Sequence, residues 1–345
     1  MKKVAIIGHF GGNKDFYDGQ TIKTRIFAQE IEKALGADQV IRVDTYRWKQ
    51  HPFRLLLNCM SAVRQAQNVL FLTDAGGIKI FPWLLRFLNF FSGRTLHYVV
   101  VGGWLSGFTK RHRFLTSCLK RLDYIWVETT CMKRDLEALN FSNIHLLRNF
   151  KDLVPLSESQ LVYKNHEPYP FCTFSRVMKE KGIEDAVNAI KHINAESGRA
   201  VCTLDIYGAV DSQQTEWFEQ LSSQFPPEVR YCGVVAQNKS VDVIKNYYAL
   251  LFPTCYATEG IPGTIIDAYA AGVPVIAARW NSFEDMVNEE ITGFGYPCLH
   301  NEQLKHVISK AIQSEGQVSE MKKQCLKKSA DYIPANAIGI LLEKL

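Results

Sequence analysis

No Cys-x-x-Cys pair occurs among the nine cysteines, and none has a histidine companion at ligand spacing. That excludes a disulfide framework and a structural zinc site, leaving reduced, mostly buried thiols. The first strand candidate runs into GHFGGNKDFYDGQTIKTR, rich in glycine but without Gly-x-Gly-x-x-Gly spacing, so a dinucleotide-dependent oxidoreductase has little support. No segment approaches the ~20 apolar residues of a membrane-spanning helix, since the run from Phe81 to Phe91 is interrupted by Pro82 and Arg86. The start, MKKVAIIGHFGG, has too short an apolar run for a signal peptide, and a cytoplasmic location is the expectation.

What is there is strand and helix in alternation. The 345 residues, 47% hydrophobic and 22% charged, exceed one ordinary core and predict two domains. KVAIIG, QVIRVD, NVLFLT, TLHYVVVG, YIWVET and NIHLLR read as strands of a first parallel, doubly wound α/β sheet. PFCTFS, CTLDIYG, VRYCGV, ALLFPT and PVIAAR read as strands of a second. The stretch from Lys151 to Pro170, polar and with three prolines, is the linker candidate. The expected partition is 1–155, 156–330 and a terminal helix in 331–345.

Charge is divided unevenly. Residues 1–150 hold 22 Lys+Arg against 11 Asp+Glu, whereas residues 151–345 hold 18 against 24. A basic half predicts an anionic partner. No nucleic-acid motif is present, and the basic residues alternate with large apolar ones in FPWLLRFLNFF and WLSGFTKRHRFLTSCLKRL, which suits a membrane surface. Core-facing helices with solvated basic edges are the alternative.

Two motifs carry chemistry. In TCYATEGIPGTIIDAYAAGVPVIAAR, the strand ALLFPT leads into a glycine-containing loop and a helix that Gly263 and Thr264 would open and Gly272 and Pro274 would end. Unpaired amides at such a start suit a phosphate or a sugar hydroxyl, with Glu259 before the helix and Asp267 one turn inside it. A variant capping box, Thr264-x-x-Asp267, with Glu259 a solvated carboxylate, is the plainer reading. Upstream, FSRVMKEKGIEDAVNAI places Arg176 and Lys181 where a strand exits into a helix, arranged as a diphosphate clamp would be, a planar fork beside a compact charge. A solvated run of Lys179, Glu180, Lys181 and Glu184 is the alternative. In an open α/β sheet both motifs converge on the crevice beyond the strands' carboxyl ends.

SRVMKEKG followed by EGIPGTIIDAYAAGVPVIA resembles the signature pair of the retaining GT-B nucleotide-sugar glycosyltransferases with the E-x7-E motif, glycosyltransferase family 4 or "glycosyl transferases group 1", of bacterial polysaccharide type. Here the second acid is shortened to Asp267. The resemblance implies two Rossmann-like domains facing a central cleft, the first taking the acceptor and the second the donor, with the terminal helix crossing back to the first. It implies that Asp267 binds the donor ribose, that Glu259 sits by the transferred sugar, and that Gly260, Ile261, Pro262, Gly263 and Thr264 hold sugar hydroxyls and phosphate oxygens. Arg176 and Lys181 would neutralise the diphosphate as the glycosidic bond breaks, which makes them the main electrostatic catalysts. The family's donor-side Gly-Gly pair at the first helix start implies a counterpart here, and by distance to the helix Gly19-Gln20 fits better than Gly11-Gly12.

On the acceptor side the candidates are Asp74, Gly102, Gly103 and Trp104. Many relatives carry a histidine after the strand TLHYVVVG, but this chain reads Gly102-Gly103-Trp104, and His97 lies too early and packs within the strand, so no catalytic histidine is assigned. Trp104 either stacks on an acceptor sugar or anchors its loop. No Asp-x-Asp, the metal-holding pair of other transferase folds, occurs anywhere, so neither metal nor cofactor is expected. The expectation is a metal-independent retaining transferase moving a sugar from a UDP-sugar, or a GDP-sugar, to a lipid-linked or oligosaccharide acceptor. It would act in capsule, O-antigen or exopolysaccharide synthesis at the inner face of the cytoplasmic membrane, with the basic half on anionic lipid and no nucleic acid bound. A nucleotide-sugar epimerase and a non-catalytic binding relative are the rivals.

Overall fold

The computed structural model describes residues 1–12, 19–254, 256, 258–298 and 301–345. The chain divides into two compact units, one of Met1–Asp152 with Tyr332–Leu345, the other of Leu153–Asp331. Each is built on a six-stranded sheet whose neighbouring strands all run parallel.

In the first unit the strands β1 (Lys2–Gly8), β2 (Val40–Asp44), β3 (Ala66–Leu72), β4 (Thr95–Val99), β5 (Tyr124–Val127) and β6 (Ile144–Leu146) alternate with α1 (Gly19–Leu35), α2 (Pro52–Gln65), α3 (Phe81–Asn89), α4 (Leu105–Arg111), α5 (Arg113–Leu119) and α6 (Thr130–Ala138). The spatial order is β2-β1-β3-β4-β5-β6. Continuous apolar runs such as Val4–Ile7 and Val69–Leu72 are fully buried, as strands covered on both faces must be. One layer packs Cys59, Leu85, Leu105 and Leu136 against the sheet, and the other packs Phe27, Ile31, Ile338 and Leu341. The last two residues belong to α14 (Pro334–Leu342), which lies on α1. The Lys151 N–H donates to the Tyr332 carbonyl, and Asn68 Nδ2 donates to the Leu345 oxygen at 3.0 Å.

In the second unit β7 (Tyr169–Phe174), β8 (Cys202–Tyr207), β9 (Val229–Gly233), β10 (Ala249–Phe252), β11 (Val275–Ala278) and β12 (Gly293–Tyr296) alternate with α7 (Ile183–Ser197), α8 (Thr215–Ser222), α9 (Ser240–Ile244), α10 (Gly263–Ala270) and α11 (Phe283–Met286), followed by α12 (Asn301–Gln313) and α13 (Glu315–Ser329). The order β12-β11-β10-β7-β8-β9 is the 3-2-1-4-5-6 order of doubly wound nucleotide-binding sheets, with the direction of winding reversing between β7 and β10. β12 had no counterpart among the sequence-predicted strands. GFGY spends two of four positions on glycine, which erases the local preference, and β11 supplies the pairing instead. Nor is the stretch from Lys151 to Pro170 free linker: the Leu156 N–H donates to the Ala270 carbonyl at 2.9 Å, and Ser157 with Gln160 forms a capping box on a 3₁₀ turn.

His97 is buried within β4, where Trp126 Nε1 donates to its Nδ1 and its Nε2 meets Asn68 Oδ1, both at 3.2 Å. Burial, helped by nearby His145, pushes its pKa down to about 4 from 6.5. The unfolded chain therefore takes up a proton that the folded one refuses as pH falls from 6.5 towards 4, so stability is lost across that window. Thermal unfolding measured across it is expected to show a shallower decline in His97→Gln than in wild type, and parallel curves would remove His97 from the acid response.

Candidate functional site

At the winding reversal of the second unit, the loops leaving β7, β8 and β10 are pressed together. Gly182, at φ +68°, sits where an added Cβ would lie 2.0 Å from the Pro253 carbonyl oxygen, and at Gly208, φ +135°, it would lie 1.8 Å from that of Ser175. Only glycine permits both the left-handed backbone and the close approach. The β7–α7 loop is thereby fixed against the exits of β8 and β10.

That contact brings Lys181 to Glu259. The two side chains, each 13% exposed, form an ion pair through Lys181 Nζ and Glu259 Oε2, and the Thr254 hydroxyl donates to the same oxygen at 3.4 Å. The ammonium lies over the rings of Tyr256 and Phe252, at 5.2 and 5.7 Å from their centroids. Lys181 is therefore not part of a solvated run. Residues Lys179–Lys181 make a 3₁₀ turn, Gly182 breaks it, and α7 then begins with Glu184 and Asp185 in its first turn, acids that suit a helix N-terminus.

Arg176 lies on the same loop and is 63% exposed, with Nη1 3.5 Å from Asp211 Oδ2. An exposed pair of this length contributes little and leaves the guanidinium available to another anion.

α10 begins at Gly263 with Pro262 as its N-cap and no side-chain cap, so Thr264 and Asp267 do not form a capping box. Among the described residues the amides of Gly263 and Thr264 have no intramolecular partner, and the buried Thr264 hydroxyl has none either. The helix closes with the Val273 N–H returning to the Ala268 carbonyl and Gly272 to Tyr269. Gly260, Ile261 and Pro262 are buried, and Trp280, edge-on to Phe252 at 5.3 Å, donates from Nε1 to the Gly260 carbonyl at 3.3 Å. Asp267, one turn into α10, is 3% exposed.

The second unit thus gathers Arg176, Lys181, Glu259 and the segment from Gly260 to Asp267 on one sheet end. Gly19, the first residue of α1, and the acceptor-side candidates lie in the first unit. Of those, Asp74 lines a cavity of about 270 Å³ with His9, Gln20, Thr45, Trp48, Thr73 and Phe81, beyond the carboxyl ends of β1, β2 and β3. Asp74 Oδ1 accepts from the Gly76 and Gly77 amides at 3.1 and 2.7 Å, and His9 Nδ1 is 2.7 Å from Thr21 Oγ1. Gly102 and Gly103 are outside its lining, as is Trp104, whose Nε1 donates to the Val101 carbonyl at 2.9 Å and whose ring stands edge-on to Phe108 at 5.4 Å. Those contacts hold its own loop. Sequence reading passed over His9, although its place directly after a first strand was the signal, and over Trp280 and Asp211, which lie far along the chain from the residues they serve.

Residues 170–314 match the family model described as glycosyl transferases group 1. The amylovoran biosynthesis glycosyltransferase AmsK of Erwinia amylovora is 22% identical over 161 residues, a segment spanning 44% of this chain but only 38% of that protein. Among solved structures, Anabaena Alr3699/HepE in complex with UDP aligns with a TM-score of 0.77 at 13% identity, over 99% of this chain and 100% of that one. The apo form of the lipopolysaccharide outer core galactosyltransferase WaaB aligns with a TM-score of 0.68 at 17% identity, over 99% and 100%. The fold is GT-B, and over part of its length the chain is similar to glycosyl transferases, among them one of amylovoran biosynthesis.

Proposed function

We propose that this GT-B protein is a retaining glycosyltransferase that takes a sugar from a nucleotide-diphosphate donor, a UDP-sugar first, without a metal ion. Its acceptor is a saccharide, lipid-linked or free, of a growing cell-surface polysaccharide. The observation that carries the reading is Lys181, shielded between two rings and an acid, next to a helix start whose amides and Thr264 hydroxyl have no partner among the described residues. HepE, similarly folded, was solved with UDP, which favours that base.

In this mechanism the helix start and Arg176 receive the diphosphate, and Lys181 meets the charge that builds on the leaving phosphate as the bond to the sugar's anomeric carbon breaks. Such preorganised charge acts more strongly in the transition state than in the bound donor. The acceptor hydroxyl attacks from the face the diphosphate leaves, and its proton passes to the departing phosphate oxygen. Glu259, held by Lys181 and Thr254, orients the sugar rather than attacking it.

Asp267 would bind the ribose at the floor of the site. Ribose contacts hold equally in ground and transition states, so Asp267→Ala is expected to raise KM for the donor about tenfold or more with kcat little changed. Steady-state kinetics in EDTA test both points: an unchanged KM removes the ribose role, and loss of turnover in EDTA removes the metal-free clamp.

A further inference from the structure

The helix α3 is apolar on both sides, yet only one side is packed. Phe81, Pro82 and Leu85 are buried, while Trp83 and Phe87 face outward and the turn beyond the helix carries Phe90 and Phe91. Phe87 and Phe90 are 78% exposed, Phe91 93%, and Phe114 on the adjacent α5 is 88% exposed. The Phe90 and Phe91 rings meet each other in an edge-on pair at 4.8 Å. Trp83 and Phe114 share a shallow concavity of about 300 Å³ whose rim is Lys79, Arg111 and Arg113. Several large aromatics clustered in water on one face are a docking surface rather than scattered exposure.

We infer that this face inserts into an anionic lipid surface, with Phe87, Phe90, Phe91 and Phe114 entering the acyl boundary and Lys79, Lys110, Arg111 and Arg113 meeting the headgroups. Charge selects the occupant. Between Asp74 and Asp123 the sequence contains no acidic residue and eight Lys or Arg. A second copy docked face to face would set those cations against each other, whereas lipid phosphates complement them and the aromatics suit the boundary between headgroup and chain. No helix among the described residues is long and apolar enough to cross a membrane, so attachment through this face is peripheral. Because α3 starts at Phe81, which lines the cavity of His9 and Asp74, the nine residues of the helix place that cavity only ~13 Å from the phenylalanine tip. This inference does not depend on the donor chemistry and is tested without it.

The experiment is flotation of the full chain with vesicles of phosphatidylcholine alone and of equal parts phosphatidylcholine and phosphatidylglycerol. Wild type is expected to float with the anionic vesicles only, less so as salt is raised. The triple variant Phe87→Ser, Phe90→Ser and Phe91→Ser should lose binding by about tenfold or more, and Arg111→Ser with Arg113→Ser by roughly fivefold per charge. Thermal unfolding in buffer should be unchanged in both variants. Absence of wild-type flotation, or flotation indifferent to the serine substitutions, overturns the inference. A dimer in solution that these substitutions dissociate, without vesicle binding, assigns the face to a second copy; displacement from vesicles by a DNA duplex assigns it to nucleic acid. Either result also overturns it.

Discussion

Lys181→Ala is expected to lower kcat by about a hundredfold or more, the loss that follows when a preorganised charge is removed from a developing anion. The side chain is nearly buried and positioned by Glu259, Phe252 and Tyr256, so little reorganisation is needed when the phosphate charge appears. Two causes could slow the variant: loss of the cation, or exposure of a bare Glu259 carboxylate to the donor's diphosphate. Adding Glu259→Gln separates them. If the cation matters, the double variant is slower than Glu259→Gln alone by a similar factor; if repulsion matters, it matches Glu259→Gln alone. Arg176→Ala should act in the same direction, through a guanidinium that the donor must win from Asp211.

The second large effect is on stability. Lys23 of α1 and Glu128, the residue after β5, form an ion pair with side chains 3% and 2% exposed, 105 positions apart in the chain, and the Lys23 ammonium lies 5.8 Å from the Phe150 ring centroid. Two charges withdrawn from water are tolerable only together. Glu128→Ala leaves the ammonium uncompensated and is expected to destabilise the first unit by about 3–5 kcal/mol. Lys23→Met with Glu128→Leu removes both charges, and chemical denaturation should find it close to wild type. If the single variant costs no more than the double, the pair is not holding α1 to the sheet.

Much of the fold was legible because strand and helix periodicities are local. Apolar runs such as Val4–Ile7 and Ala249–Phe252, and the break at Pro334, announce themselves within a few residues. Legibility failed where structure depends on sheet order. Nothing near Gly182 says that Pro253 will lie against it, or near Arg176 that Asp211 will; both follow from β7 standing between β10 and β8. The cavity of His9, Trp48 and Asp74 is likewise assembled from the ends of three strands. On α3 the apolar pattern was visible, but which large residues would be packed was not, because Phe81 and Leu85 on its buried side and Trp83 and Phe87 on its exposed side are equally apolar. The short GFGY strand shows the opposite case, a segment with little preference of its own that pairing creates.

The second unit is proposed to bind a nucleotide diphosphate through Lys181 and the start of α10. Thermal unfolding of wild type and of Lys181→Ala with UDP, GDP, ADP, CMP and dTDP, each with and without EDTA, tests it most directly, since a ligand at ~100 times its Kd stabilises by about 2.7 kcal/mol. One diphosphate, UDP first, is expected to raise the wild-type Tm regardless of EDTA and that of Lys181→Ala much less. No shift with any nucleotide, or equal shifts in both proteins, would contradict it.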